Sequence, residues 1–480
     1  MSGRDALSVL AAAREAPDRI AVVSGESTQS YDELAGATRN QIARLRDAGI
    51  ARAEGVQRVA LTCASEPETL VRLSALFELG QATVLLHDRW TARERDEALS
   101  LVRPVLDPFG AAPGTPSAGA AAEAPGDAPL VIVFTSGTGG AQKAVLLQRD
   151  ALVASARASW AHLGLRHDDR WLSCLPLAHV GGLSVFTRCL AARRTVVLVP
   201  RFDARSVADA IERHGVTLAS LVPTMLERLL TELPRWSPPR SLRAVLLGGA
   251  AASPRLLREA HRRGLAVLVT YGMTETASQV ATQEPGTPPD PASGCGRPLP
   301  GVEIRVRGGV IEVRGRMLAD GYLTTDGPRP AADRDGWLST GDLGRIDDEG
   351  RLHVTGRRGD VLVTGGENVS AADVERQLSR CPGIERALVF AVPDDDLGER
   401  LAAALVADGS GPPSDELLAR HLEDTLAAFK RPRSIVYVER LPETPTGKES
   451  RLRAAATLRG RLRPLQIETR GGSGAGGATR

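Results

Sequence analysis

Between positions 131 and 143 the chain reads V-I-V-F-T-S-G-T-G-G-A-Q-K, an apolar run that ends in hydroxyls, glycines and a lysine. Such a stretch is suited to holding phosphates. Glycines at 137, 139 and 140 admit the positive φ angles that turn successive backbone N–H groups to one side. Thr135, Ser136 and Thr138 add hydroxyl donors, and Lys143 adds a charge. The spacing is not the Walker pattern, in which Gly-Lys-Ser/Thr opens a helix, and Gly/Ser/Thr clusters also make ordinary surface turns. Position favours the phosphate reading, because residues 130–134 read as a buried strand that empties directly into the loop.

The elements that must carry such a loop are legible around it. Residues 59–62 and 82–86 read as strands in a first segment that ends near position 110, and residues 111–128, rich in Ala, Gly and Pro, read as a mobile surface linker. From 130 to 272 the pattern is strand and helix in turn: a helix over 149–163, a strand over 195–199, a helix over 204–214, and strands over 216–222, 242–247 and 266–270. Ser253-Pro254 supplies an N-cap and first-turn proline. Strands this uniformly apolar, separated by amphipathic helices, belong in a parallel sheet covered on both faces. After Pro285 the texture becomes alternating, with 302–307 and 310–313 joined by Gly308-Gly309 as a hairpin and a second hairpin over 344–356. Beyond 357, helices at 371–379 and 414–428 mix with strands at 387–392, 401–406 and 434–438. The expected fold is α/β: a large N-terminal domain of doubly wound sheets with a β-rich subdomain (1–356), a small mobile α+β domain (357–470), and a disordered tail (471–480).

Length alone favours more than one domain, since 480 residues exceed what a single core encloses. A net charge of +2, with acids interspersed among the arginines, gives no basic tract for nucleic acid and points to small-molecule partners. The five cysteines, at 63, 174, 189, 295 and 381, form no C-x-x-C and no zinc pattern, which suits a reducing cytoplasm. No stretch reads as a targeting segment or membrane span. A homo-oligomer is left open.

Five stretches in order carry a resemblance: T-S-G-T-G-G-A-Q-K, Y-G-M-T-E-T (271–276), S-T-G-D-L-G (339–344), G-R-R-G-D (356–360) with G-G-E-N (365–368), and P-T-G-K (445–448). Together they resemble the adenylate-forming superfamily of acyl- and aryl-CoA ligases, luciferases and adenylation domains, over essentially the whole chain. Within it, L-P-L-A-H-V-G-G-L-S (175–184), V-P-T-M-L (222–226) and T-E-T-A-S-Q-V (274–280) look most like the o-succinylbenzoate–CoA ligases of menaquinone biosynthesis. The resemblance implies ATP, Mg²⁺ and CoA. A carboxylate would attack the α-phosphorus of ATP, and the CoA thiol would then displace AMP.

What the resemblance implies for residues is specific. Lys448 would contact the attacking carboxylate and α-phosphate, and Glu275 would hold magnesium. Thr135, Ser136, Gly137, Thr138, Gly139 and Lys143 would face the phosphates. Gly248, Gly249 and Ala250 would lie against adenine, on which Tyr271 would stack, with Gly272 and Thr274 beside it; Asp342 and Arg357 would grip the ribose. His179 would gate the acyl pocket or thiol tunnel, Gly181 and Gly182 would let an aromatic acid lie close to backbone, and Ser278 would read a distal carboxylate. Gly365 and Gly366 would line the CoA tunnel, and Gly359 would be the hinge. The chain departs from the usual pattern at Gly139, Gln142, Ala144 and Ser370, and none of these removes a charged group. Another aryl- or acyl-CoA ligase, an adenylation enzyme loading a carrier protein, and a silent binding protein are the rival readings.

Overall fold

A computed structural model describes residues 3–51, 55–103, 107–109, 128–136, 142–287, 293–357, 361–364, 367–394, 398–444 and 449–465. The expected linker, the tail, and the residues Gly137, Thr138, Gly139, Gly359, Gly365, Gly366 and Lys448 lie outside these. The chain divides into two compact units, one of Met1–Thr340 with Arg345–His353, the other of Gly341–Gly344 with Val354–Arg480.

The first unit is built on two large sheets. One has nine strands, in the order Arg297–Pro298, Ser278–Thr282, Val267–Met273, Ala244–Leu247, Leu218–Leu221, Arg170–Ser173, Thr195–Leu198, Ile20–Ser24 and Ser27–Ser30. Its six central strands run parallel, whereas the strands at both margins are antiparallel. The wholly parallel sheet expected from the apolar runs is thus corrected to a mixed one. Polar, hairpin-linked strands such as Ser27–Ser30 close its edges, where one face needs no burial. The second sheet has six strands, with Arg58–Cys63, Ala82–His87 and Val131–Ser136 parallel and Gln142–Leu147, Gly321–Thr324 and Gly327–Pro330 antiparallel.

One core fills the space between these sheets. Trp171, Val196, Leu246 and Leu268 of the first meet helices Tyr31–Asp47, Pro67–Leu79, Arg149–Leu163 and Val180–Ala192, which pack in turn on Leu61, Leu85, Val131 and Val145 of the second. The outer faces are covered too: helices Ala204–Arg213, Pro223–Glu232 and Pro254–Arg262 bury Val207, Leu229 and Leu257 on the nine-stranded sheet. Ser253 caps the last of them by accepting the Leu256 N–H, as the Ser-Pro pair predicts. The alternating region forms a further sheet that begins with the hairpin Val302–Arg307 and Val310–Gly315, whose turn glycines 308 and 309 both take positive φ.

In the second unit, the strands Ile384–Asp394, Gly398–Ala407, Ser434–Tyr437 and Arg463–Pro464 form one sheet. Alternation sorts its two faces. Val389, Ala403 and Leu405 meet helices Ala371–Leu378 and Asp415–Thr425, while Leu388, Phe390 and Ala404 meet helix Arg451–Leu458.

Candidate active site

The sequence-predicted residues of the first unit gather where the central strands end at their carboxyl edges, the usual place for a ligand in such sheets. Val131–Ser136 does not lead into a helix. It turns back as a hairpin with Gln142–Leu147, which sets Thr135 opposite Lys143 and Ser136 opposite Gln142. Gln142–Leu147 then pairs with Gly321–Thr324, placing Tyr322 opposite Val145. The Lys143 Nζ lies 5.5 Å from the centroid of the Tyr322 ring, and the Tyr322 hydroxyl donates to Glu275 Oε1 at 3.0 Å. A lysine, a phenol and a carboxylate from three remote stretches thus form one continuous line.

Glu275 is buried within a single tight turn, Thr274–Thr276, between Val267–Met273 and Ser278–Thr282. The chain doubles back here so closely that a Cβ on Gly272 would stand 2.0 Å from the Ser278 carbonyl oxygen. Glycine is therefore required at 272 on packing grounds alone. Ala277 and Ser278 both adopt positive φ, 49° and 115°, an arrangement unfavourable for residues with side chains and frequent at functional sites. One carboxylate held by a phenol, with no cluster of three metal-ligating side chains among the described residues, fits a hard cation that takes its other ligands from phosphate and water.

Gly248, Gly249 and Ala250 follow directly on the strand Ala244–Leu247. Gly249 has a φ of 82°, and a Cβ on Gly248 would press on Thr270 Cγ2 at 2.8 Å. Tyr271 is half-buried against the cluster of Val280, Leu299 and Ile311. In the second unit, Arg357 Nε and Asp342 Oδ1 pair at 3.2 Å. Ser450 caps helix Arg451–Leu458, and Arg451 Nη2 fixes its start by donating to both carboxylate oxygens of Glu375, at 2.8 and 2.9 Å.

The residues expected at the acyl end lie on or beside helix Val180–Ala192. His179 is its N-cap residue, and its ring stands 5.1 Å from that of His87 at the end of Ala82–His87. The His87 Nδ1 accepts the Arg89 N–H at 3.0 Å, and its Nε2 is buried with no hydrogen-bond partner among the described residues. Burial pushes the His87 pKa below its ordinary value, so the ring is neutral at pH 7. Gly182 is also needed for packing: a Cβ there would lie 2.3 and 2.6 Å from the carbonyls of Pro176 and Leu175, whereas Gly181 meets only Leu175 Cδ1, at 3.2 Å.

Three residues that pattern reading missed complete the picture: Tyr322, His87 and Arg188. Arg188 is 2 % exposed on helix Val180–Ala192 and donates from Nη2 to Ser278 Oγ at 3.0 Å, while Ser278 donates onward to Ser184. The guanidinium packs over the Trp171 ring at 5.3 Å, and its Nε has no partner among the described residues. No carboxylate pairs with it among those residues. Burial pushes its pKa down to about 9, which leaves it cationic at neutral pH. The signal was available as a lone charge inside V-G-G-L-S-V-F-T-R-C-L-A-A.

Comparison with known proteins places this arrangement. The pattern described as AMP-binding enzyme matches residues 107–327, and that described as AMP-binding enzyme C-terminal domain matches 373–448. A 2-succinylbenzoate–CoA ligase of Bacillus pumilus is 36% identical over 91% of this chain and 95% of its own length. The o-succinylbenzoate CoA synthetase of Bacillus subtilis, solved with the acyl-adenylate intermediate, superposes with a TM-score of 0.79 at 31% identity, covering 94% of this chain and 97% of that one. The same synthetase with ATP and a magnesium ion gives 0.79 at 30% identity, over 94% and 98%. With its motifs in order, both family patterns matched and relatives aligned along nearly their whole length, the chain belongs to the AMP-binding enzymes of the adenylate-forming superfamily.

Proposed function

We propose that the protein is an AMP-forming acid–thiol ligase that activates o-succinylbenzoate and transfers it to CoA, a step of menaquinone biosynthesis carried out in the cytoplasm. The observation that carries the substrate is Arg188 beside Ser278, a buried guanidinium that pairs with no carboxylate among the described residues. Burying a cation unpaired is costly, and a site that does so is matched to an anionic group on its ligand. A dicarboxylate supplies one: the carboxylate remote from the reacting one would accept from Arg188 and Ser278, while the other is activated. The strained φ angles at Ala277 and Ser278 hold the hydroxyl toward the arginine. The likeness to 2-succinylbenzoate–CoA ligases supports the same substrate.

In the first half-reaction a carboxylate oxygen attacks the α-phosphorus, a P–O bond breaks, and pyrophosphate leaves. Lys143, Thr135 and Ser136 would face the phosphates, with Gly137, Thr138 and Gly139 between them, and Lys448 would neutralise charge at the attacking and α-phosphoryl oxygens. Glu275 would hold magnesium, which would supply charge neutralisation at the phosphates, and the Tyr322 hydroxyl keeps that carboxylate in place. Asp342 and Arg357 would bind the ribose and Tyr271 the adenine. In the second half the thiol sulfur attacks the acyl carbon, the C–O bond to AMP breaks, and the thiol proton passes to solvent. Gly365 and Gly366 would line the thiol's path, with Gly359 as the hinge and His179 as the gate.

A pyrophosphate-exchange panel tests the assignment. It compares o-succinylbenzoate, the two monocarboxylates made by deleting either carboxyl, benzoate and a medium-chain fatty acid. Preference for the dicarboxylate by about tenfold or more over every monocarboxylate is expected from one charged hydrogen-bonding contact. Equal use of all five would leave only a general CoA ligase, and exchange without CoA-dependent thioester would point to a carrier-loading enzyme.

A further inference from the structure

The parallel strands of the nine-stranded sheet have a second end, away from the motifs. At their amino edge a hollow of about 490 Å³ opens among residues that precede Arg170–Ser173, Leu218–Leu221 and Ala244–Leu247 and that end helix Ala204–Arg213. Four guanidiniums line it, from Arg166, Arg170, Arg213 and Arg240, together with the His214 imidazole; Asp168 is the one carboxylate in its wall.

Of these cations, Arg170 is fixed by a neutral group. Arg170 Nη1 donates to the His214 carbonyl at 3.1 Å, and behind the wall Arg194 Nε donates to the Arg166 carbonyl at 2.6 Å. A carbonyl orients a guanidinium without cancelling its charge. Arg213 pairs with Glu26, but both side chains are more than half exposed, where such a pair contributes little. Asp169, the buried acid behind the hollow, is consumed by Arg243, which donates to its two oxygens at 2.9 and 2.6 Å. The wall therefore carries more positive than negative charge. Burial first, then the neighbouring Arg213, pushes the His214 pKa below the ordinary imidazole value.

We propose that this hollow binds a compact oligophosphate anion, of pyrophosphate or triphosphate size, at a site separate from the one that activates the acyl group. Several cations around a concavity call for a ligand with more than one negative charge, and guanidinium forks match tetrahedral phosphate oxygens. No phenyl or indole ring lines the hollow, so it offers no platform for a base. This assignment rests on the amino-edge geometry and is independent of the acyl substrate.

The test is calorimetric titration of the full-length protein with inorganic pyrophosphate and, separately, inorganic triphosphate. It is run on the Lys143→Ala background to weaken phosphate binding at the carboxyl edge. Arg166 and Arg240 are both exposed, so Arg166→Ala/Arg240→Ala should fold normally. We expect saturable binding in Lys143→Ala, weakened about tenfold or more for each arginine removed and falling steadily with added salt. The double arginine variant with Lys143 intact should retain pyrophosphate exchange. Binding that vanishes with Lys143→Ala alone, or that survives Arg166→Ala/Arg240→Ala unchanged, would overturn the proposal.

Discussion

Helix Val180–Ala192 carries two buried arginines, five positions apart, that live in opposite circumstances. Arg193, its left-handed C-cap residue, spends every donor on the protein: Nε and Nη2 go to Glu15 at 3.0 and 3.1 Å, Nη1 to the carbonyls of Ala6 and Leu190, and Nη2 also to that of Asp5. Arg188 reaches Ser278 by one nitrogen and leaves Nε without a partner among the described residues. Equal burial therefore does not mean equal purpose. The first cation ties the N-terminal helices to the sheet region and is complete, while the second is held over Trp171 with charge to spare for a ligand.

That contrast can be broken by mutation. The largest effect should come from Arg193→Met, which removes five hydrogen bonds, two of them to the exposed Glu15 and three to backbone carbonyls, and should lower unfolding free energy by about 3–5 kcal/mol in denaturant titration. Acyl preference of the folded fraction should not change. Next is Lys448→Ala, a cation expected to act in the reaction itself. Acyl-adenylate formation should drop by about two to three powers of ten, while thioester formation from supplied acyl-adenylate persists; equal damage to both halves would defeat the division of labour between them.

A third buried charge extends the comparison to pH. Burial alone would raise the Asp169 carboxyl, but hydrogen bonds from Arg243, the Arg166 N–H and Thr217 outweigh it and hold the pKa below the ordinary value. The stabilisation is then complete above about pH 4, the unfolded carboxylate range, and is lost as pH falls through the lower folded value. Asp169→Asn should cost about 1.5–3 kcal/mol at neutral pH and flatten the acid limb of a stability profile; an unchanged limb would assign it to other carboxylates. The smallest effect belongs to Tyr322→Phe, which deletes one hydroxyl bonded to Glu275. We expect roughly a tenfold rise in the ATP–magnesium requirement, read from initial rates at varied magnesium, with the order of preferred acids intact.

How far the sequence foretold this varies with the kind of order involved. Apolar continuity exposed the strands at 82–87 and 131–136, and paired glycines exposed the turn at 308–309. Helix Val180–Ala192 was not legible, since it is buried almost all round and so lacks the polar stripe that reveals a helix. Arg170–Ser173 is only four residues long with polar flanks, and Gln142–Leu147 follows a Gly-rich stretch that reads as loop in sequence. Lys143 and Glu275 stand in motifs and were named from those. Tyr322 was not, because nothing in G-Y-L-T announces a contact 47 positions away; it needed the pairing of Gln142–Leu147 with Gly321–Thr324. The packing need at Gly182 was hidden for a related reason: a glycine's freedom is visible in sequence, but the backbone that lies against it is not.

If Arg188, which pairs with no carboxylate among the described residues, receives the remote carboxylate of the ligand, a selectivity ratio must depend on it. The kcat/KM for o-succinylbenzoate is divided by that for the monocarboxylate lacking the remote carboxyl, in wild type and in Arg188→Met, with thermal unfolding followed alongside. The ratio should fall by roughly ten- to a hundredfold, through loss with the dicarboxylate alone, while stability stays unchanged or increases because a buried charge has gone. A ratio unchanged by Arg188→Met, or a protein that loses stability as Arg193→Met does, would contradict it.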